Sequence, residues 1–194
     1  MERWREAQEL ELRWHGDCVN TYHEETKQLE YARGMGLPVD EWDRIDLAGR
    51  TVTDLGSGPA SLLLKAHGFR VAYAVDPLMD RFPEWVRLRY QARGITPITA
   101  LGEALSLPPM EEVWVYNVLE HAADPEQVLT NALLHATKVV RVWEWIETQP
   151  DELHLNALRA EDLDRWLGGI GRVGVMKRGG CQGLYYTGVF RGGG

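Results

Sequence analysis

The chain has 194 residues, 44% of them hydrophobic, which suits one globular domain with a full core and little left for a second. Its formal charge is −8, with 29 acids against 21 basic residues and no basic block, so a nucleic-acid partner is disfavoured. Cys18 and Cys181 stand far apart with no paired spacing, against both a zinc site and a disulfide framework, and neither a signal peptide nor a membrane span is legible; a cytoplasmic protein is expected.

Residues 1–47 read as a helical segment outside the main sheet: a charged start, helical pattern around Glu24 to Ala32, and a break at Gly34 and Gly36. The main domain is placed at 48–194, and from residue 51 the order becomes regular. TVTDLGS (51–57) reads as a strand and ASLLLKAHG (60–68) as a helix starting near Pro59, with His67 in its last turn, where it complements the dipole. Then follow the strand RVAYAVDP, the helix PEWVRLRYQARG, the short strand ITPITAL and the strand EEVWVYNVL. DPEQVLTNALLHATK is a helix capped by Asp124, with Pro125 at its first position and Gln127 at capping-box spacing. VVRVWEWI is a further strand on which Trp143 and Trp145 share a face, assigned to the core or a cleft wall.

After the helix AEDLDRWLGG, the runs IGRVGVMKR and GLYYTGVFR are separated only by GGCQG, too close for a crossover helix. They predict an antiparallel hairpin, followed by a fraying Gly192 to Gly194. The fold class is therefore α/β, a doubly wound Rossmann-like sheet finished by a C-terminal antiparallel β-hairpin.

Gly56 and Gly58 mark a tight strand-to-helix turn where backbone amides can meet a ligand. Asp76 ends the next strand, twenty residues beyond Gly56, where an acid receives both hydroxyls of a ribose. A dinucleotide fingerprint wants a third glycine where this chain has Ser61, and a sheet that continues parallel. Two alternatives stay open: an NAD-dependent oxidoreductase, and a cofactor-binding protein of the same fold without transfer activity.

VTDLGSGPAS, YAVDP, LGEAL and YNVLEHAADPEQVL resemble, in this order, the motifs of class I S-adenosylmethionine-dependent methyltransferases, especially the branch with a VLEH…DP segment after the fourth strand. The resemblance spans about residues 50 to 190 and implies S-adenosyl-L-methionine as cofactor. It implies that Asp54, Gly56 and Gly58 line the methionine part of the cofactor, that Asp76 with Pro77 holds the ribose side, and that Glu103 and Ala104 lie in the adenine-contacting loop. Asn117 would face the sulfonium and the acceptor. Two departures are visible, Ala60 where a third glycine is usual and Leu101 where members often carry an acid.

Methyl transfer needs alignment and exclusion of water, and a base only when the acceptor must lose a proton. Asn117, Glu120 and His121 form the densest polar group at a strand exit, and His154 lies in a loop on the same side, so Asn117, His121 and His154 are the catalytic candidates. Similar segments in ubiquinone-pathway O-methyltransferases supply two acids and a histidine to a divalent metal; with Asn117 in the place of the first acid, no metal is expected here. The segment Trp14 to Tyr31, with Asn20, Tyr22, His23, Lys27 and Gln28, is richer in polar and aromatic residues than a covering helix requires, and reads as a lid or an amphipathic cover. A small-molecule acceptor is expected, with its identity and the oligomeric state unassigned.

Overall fold

The computed structural model describes residues 2–178 and 181–193. Two helices, α1 (Glu2–His15) and α2 (Cys18–Gly34), precede a two-residue strand β1 (Ile45–Asp46). The strands that follow are β2 (Thr51–Leu55), β3 (Ala66–His67), β4 (Val71–Asp76), β5 (Thr96–Thr99), β6 (Met110–Tyr116), β7 (Ala136–Ile146), β8 (Arg172–Arg178) and β9 (Cys181–Arg191). Between them lie α3 (Glu84–Gln91), α4 (Pro125–His135) and α5 (Ala160–Leu167).

Seven strands form the main sheet in the order β5-β4-β2-β6-β7-β9-β8. β2, β4, β5, β6 and β7 pair in parallel, and β9 inserts antiparallel between β7 and β8. The doubly wound sheet with an antiparallel hairpin is thus observed. β9 starts two residues earlier than the GGCQG break suggested, and the hairpin turn at 179 and 180 lies outside the described residues. Gly192 and Gly193 do not fray: their amides donate to the carbonyls of Lys138 and Leu133, both at 2.9 Å, while Gly194 lies outside the described residues.

The helix expected over 60–68 is not formed. A 3-10 turn spans only Leu62–Lys65, with Ser61 Oγ accepting from the Leu63 amide, and the chain then enters β3, which pairs with β1. Competing partners decide this. The amides of Ser61 and Leu62 donate to the hydroxyls of Tyr90 and Tyr116, and β1 takes the strand that follows. His67 therefore sits in β3, 3.9 Å from the Asp46 carboxylate, and complements no helix.

Helix α2 covers the sheet face that the short turn leaves open. Tyr31, Ala32 and Met35 pack in one core with Leu62, Leu63, Leu64, Val52 and Ala74, so residues 1–47 share the buried interior of the sheet. The opposite face is covered by α4 and α5 through Val128, Leu129, Leu163 and Leu167. Asp124 caps α4 as expected, accepting from the Gln127 amide at 3.0 Å. The Gln127 side chain, however, reaches forward to Asn131 and completes no capping box. Trp143 is core, stacked on Tyr185, and Trp145 is cleft wall. Among the described residues no helix is long and apolar enough to cross a membrane.

Candidate functional site

A cavity of about 530 Å³ opens at the C-terminal ends of β2, β4, β6 and β7, roofed by α1. Its floor is the turn after β2. Gly56 and Gly58 both take positive φ, +70° and +55°. The two glycines serve different ends. Gly56 lines the cavity, and a Cβ there would stand 2.0 Å from Val118 Cγ2, so that position is also glycine to admit a neighbouring side chain. A Cβ on Gly58 would meet only His15 Nε2, at 4.0 Å, so Gly58 is the one that leaves space at the cavity.

No helix N-terminus supports the turn; buried side chains brace it from below. Tyr90 Oη donates to the Gly58 carbonyl at 2.7 Å and accepts from the Ser61 amide. Tyr116 Oη and Ser61 Oγ both donate to Asp54 Oδ2, and Tyr116 also accepts from the Leu62 amide. Asp54 is fully buried beneath the turn and does not reach the cavity wall. Burial raises its carboxyl to about 7 against the lowering hydrogen bonds of Ser61 and Tyr116.

Asp76 does line the cavity, beside Pro77 and Leu78. Its two oxygens accept from the amides of Gly58 and Leu78 at 2.9 and 2.8 Å, which fixes the carboxylate between the two strand-end loops. Each oxygen retains a second lone pair. Burial raises its pKa, opposed by those two amides. Leu101, Gly102 and Glu103 form the adjoining wall, with Glu103 accepting from the amides of Ala123 and Asp124; Ala104 is exposed and off the wall.

The other side of the cavity is made of side chains. Asn117 lines it at the end of β6 in a left-handed conformation, φ +52°, its Oδ1 accepting from Tyr31 Oη at 3.4 Å. A 3-10 turn over Leu119–His121 follows. The fully buried Glu144 of β7 holds its start by accepting from the amides of Val118 and Leu119 at 3.1 to 3.2 Å. Burial raises the Glu144 carboxyl well above the carboxylate range.

Glu120, His121 and His154 converge here, within 4.8 Å of one another. Burial alone would lower the His121 imidazole. The hydrogen bond with Glu11 at 2.8 Å and the charges of Glu11 and Glu120 outweigh it and hold the ring at about 9. His154 Nδ1 lies 3.0 Å from Asp151, whose carboxyl the His154 amide and ring lower to about 2. The predicted candidates Asn117, His121 and His154 all line the cavity, the two histidines side by side with ring centroids 4.9 Å apart.

Of the polar and aromatic residues between 14 and 31, only Trp14, His15, Glu24 and Lys27 reach the wall. Tyr22 is exposed, and Gln28 and Tyr31 are buried in the packing. Sequence reasoning missed the contribution of α1: Trp4, Gln8, Glu11 and His15 face the cavity. The spacing of four, three and four residues is a helical stripe, and was readable as one.

No family model and no curated protein matches the chain. Solved structures do. Magnesium protoporphyrin IX methyltransferase from Synechocystis PCC 6803, with bound SAH, matches with a TM-score of 0.68 at 17% identity, over 98% of this chain and 93% of that one. The N-methyltransferase NodS from Bradyrhizobium japonicum WM9, in complex with S-adenosyl-l-homocysteine, matches with a TM-score of 0.61 at 12% identity, over 89% of this chain and 87% of that one. The [4+2]-cyclase SpnF matches with a TM-score of 0.61 at 12% identity, covering 88% and 82% of the two chains. The chain has the class I methyltransferase fold.

Proposed function

We propose that the protein is an S-adenosylmethionine-dependent methyltransferase acting on a small-molecule acceptor. The observation that carries this reading is Asp76: a carboxylate at the end of β4, anchored by two amides with lone pairs to spare, beside the open face of Gly58 in a cavity at the strand ends. In the same fold, the Synechocystis and Bradyrhizobium proteins hold S-adenosylhomocysteine.

The residues fit such a cofactor. Asp76 would receive the ribose hydroxyls, Leu101, Gly102 and Glu103 would flank the base with Pro77 and Leu78, and Gly58 would leave room for the amino-acid portion. Asp54 acts from below, by fixing the turn. The cofactor supplies a methyl group on a sulfonium, transferred in line to an acceptor lone pair as the sulfur leaves with the bonding electrons. Asn117, His121 and His154 border the receiving side, where Asn117 and His121 would orient the acceptor and His154 would take its proton when it must lose one. Within the segment 1–47 that precedes the 48–194 domain, α1 would serve as the lid that excludes water above the site, while α2 packs into the core. The oxidoreductase alternative is disfavoured further by the missing helix after the glycine turn, since a dinucleotide pyrophosphate needs that N-terminus.

Calorimetric titration with S-adenosylmethionine, S-adenosylhomocysteine and NAD tests the reading. Micromolar binding of the first two, about −8 kcal/mol, and none of NAD is expected; binding of NAD alone overturns it. A cyclase shares the fold, so transfer needs its own test, in which radiolabelled methyl from S-adenosylmethionine must appear in an acceptor drawn from a metabolite extract. Binding without any transfer would favour the non-transferring alternative.

A further inference from the structure

Glu120, His121 and His154 come from two chain segments that the fold fastens together. The Glu120 carbonyl accepts from the amides of Leu155 and Asn156 at 2.6 and 3.1 Å, and Asn156 Nδ2 donates to the carbonyls of Leu119 and Ala122. The loop bearing His154 is thereby pinned to the turn bearing Glu120 and His121.

The outer faces of all three side chains are engaged. His121 Nδ1 lies 2.8 Å from Glu11 Oε1 and 3.1 Å from the Leu153 carbonyl. His154 Nδ1 lies 3.0 Å from both oxygens of Asp151. With an ion bound, hydrogen on Nδ1 would satisfy these acceptors and each Nε2 would offer its lone pair. Glu120 Oε2 accepts from Thr148 Oγ1 at 3.4 Å, while Glu120 Oε1 stands 3.7 Å from His121 Nε2 and 3.7 Å from His154 Nε2. Two imidazole nitrogens and one carboxylate oxygen therefore lie within 4.8 Å of one another on the cavity wall, each side chain with a partner behind it.

We infer that Glu120, His121 and His154 form a binding site for a divalent transition-metal ion, with its remaining coordination positions open to the cavity. Ligand atoms on an ion with bonds of about 2.0–2.1 Å in tetrahedral geometry lie about 3.4 Å apart. The two nitrogen–carboxylate separations of 3.7 Å need to close by a few tenths of an ångström, and the two imidazole nitrogens, within 4.8 Å of each other, must draw together with them. Carboxylate and carbonyl acceptors on the far nitrogen of each histidine are the usual outer partners of metal-bound imidazole. Two imidazoles with one carboxylate favour Zn²⁺, Co²⁺ or Fe²⁺ over Mg²⁺ or Ca²⁺, which prefer oxygen ligands alone. The expectation of no metal, drawn from Asn117 alone, overlooked His154, which arrives from a distant loop.

The site does not depend on the transferase reading and is tested apart from it. Untagged, chelator-treated protein is titrated with Zn²⁺ by calorimetry and with Co²⁺ by visible absorption, alongside Mg²⁺. One Zn²⁺ per chain is expected, with a Co²⁺ ligand-field spectrum and Mg²⁺ at least about 100-fold weaker. His154→Ala, in an accessible loop, and Glu120→Gln should each weaken Zn²⁺ about 100-fold or more, and Asp151→Asn about 10- to 100-fold, with circular dichroism verifying that each variant is folded. Absence of stoichiometric binding, binding undiminished in His154→Ala and Glu120→Gln, or equal affinity for Mg²⁺ would each overturn the proposal. S-adenosylmethionine titration of the same samples reports on the cofactor reading independently.

Discussion

The glycine turn after β2 and the histidine pair at 121 and 154 border one cavity, yet they are held by different means. The turn is set by backbone conformation and by tyrosines beneath it; its residues are contiguous, and what they offer a ligand is mostly main chain. The histidine side is assembled from α1, the turn at 119–121 and the loop at 151–156, and what it offers is mostly side chain. A site made of backbone resists substitution because changing it damages the fold. A wall made of converging side chains can be altered residue by residue while the sheet stays intact.

Substitutions can break that contrast. The largest effect is expected at Gly56→Ala, where a methyl would collide with Val118 and must also occupy a positive φ. Stability should fall by about 4 kcal/mol or more in urea denaturation. Gly58→Ala, with open space around the new methyl, should lose only about 1–2 kcal/mol. Equal losses at the two positions would mean that the turn is not organised around Val118.

The buried Asp54 gives the backbone-made side a pH signature. An unfolded aspartate titrates near 4 and the native one near 7, so in that window the native state holds a proton that the unfolded chain releases. Asp54's stabilising contribution is full below pH 4 and lost as pH rises through 7, up to about 4 kcal/mol for this group alone. Asp54→Asn, which still accepts from Ser61 and Tyr116, should flatten the melting temperature between pH 4 and 7; an unchanged slope would assign the effect to other groups.

Asp76→Ala should weaken S-adenosylmethionine by about 1.5–3 kcal/mol, the worth of charged hydrogen bonds, read by calorimetry. His154→Ala should leave that affinity within about twofold. If both variants lose cofactor equally, the two sides of the cavity are not separate. The smallest effect is expected at Glu11→Gln, which loses the ion pairs to His121 and His15 and should loosen α1 by about 1 kcal/mol. Hydrogen exchange should quicken in α1 and stay unchanged in β2 and β6.

This contrast also explains what could be read from the sequence. Asp76, Gly58 and the strand order are local in the chain, and alternation of strand and helix patterns reveals them. The helix over 60–68 was misread because three successive leucines fit a buried helix as well as a buried 3-10 turn, and the deciding hydroxyls, Tyr90 and Tyr116, lie far along the chain. Glu144 resembled one more polar residue on a strand. Only tertiary packing turns it inward to hold the amides of Val118 and Leu119. Glu11 and His121 carried no local signal of their meeting, because 110 residues separate them.

Helix α1 is tied at three points: Glu9 to Arg81 on the loop that carries Asp76, Glu11 to His121, and Arg3 to the Asp151 carbonyl beside His154. A single rod thus spans both sides of the cavity. Whatever free energy one occupant spends in shifting that rod is felt by the other, and thermodynamic linkage makes the effect equal in both directions. Order of arrival, and the sequence in which products can depart, would then be written into three contacts of one helix.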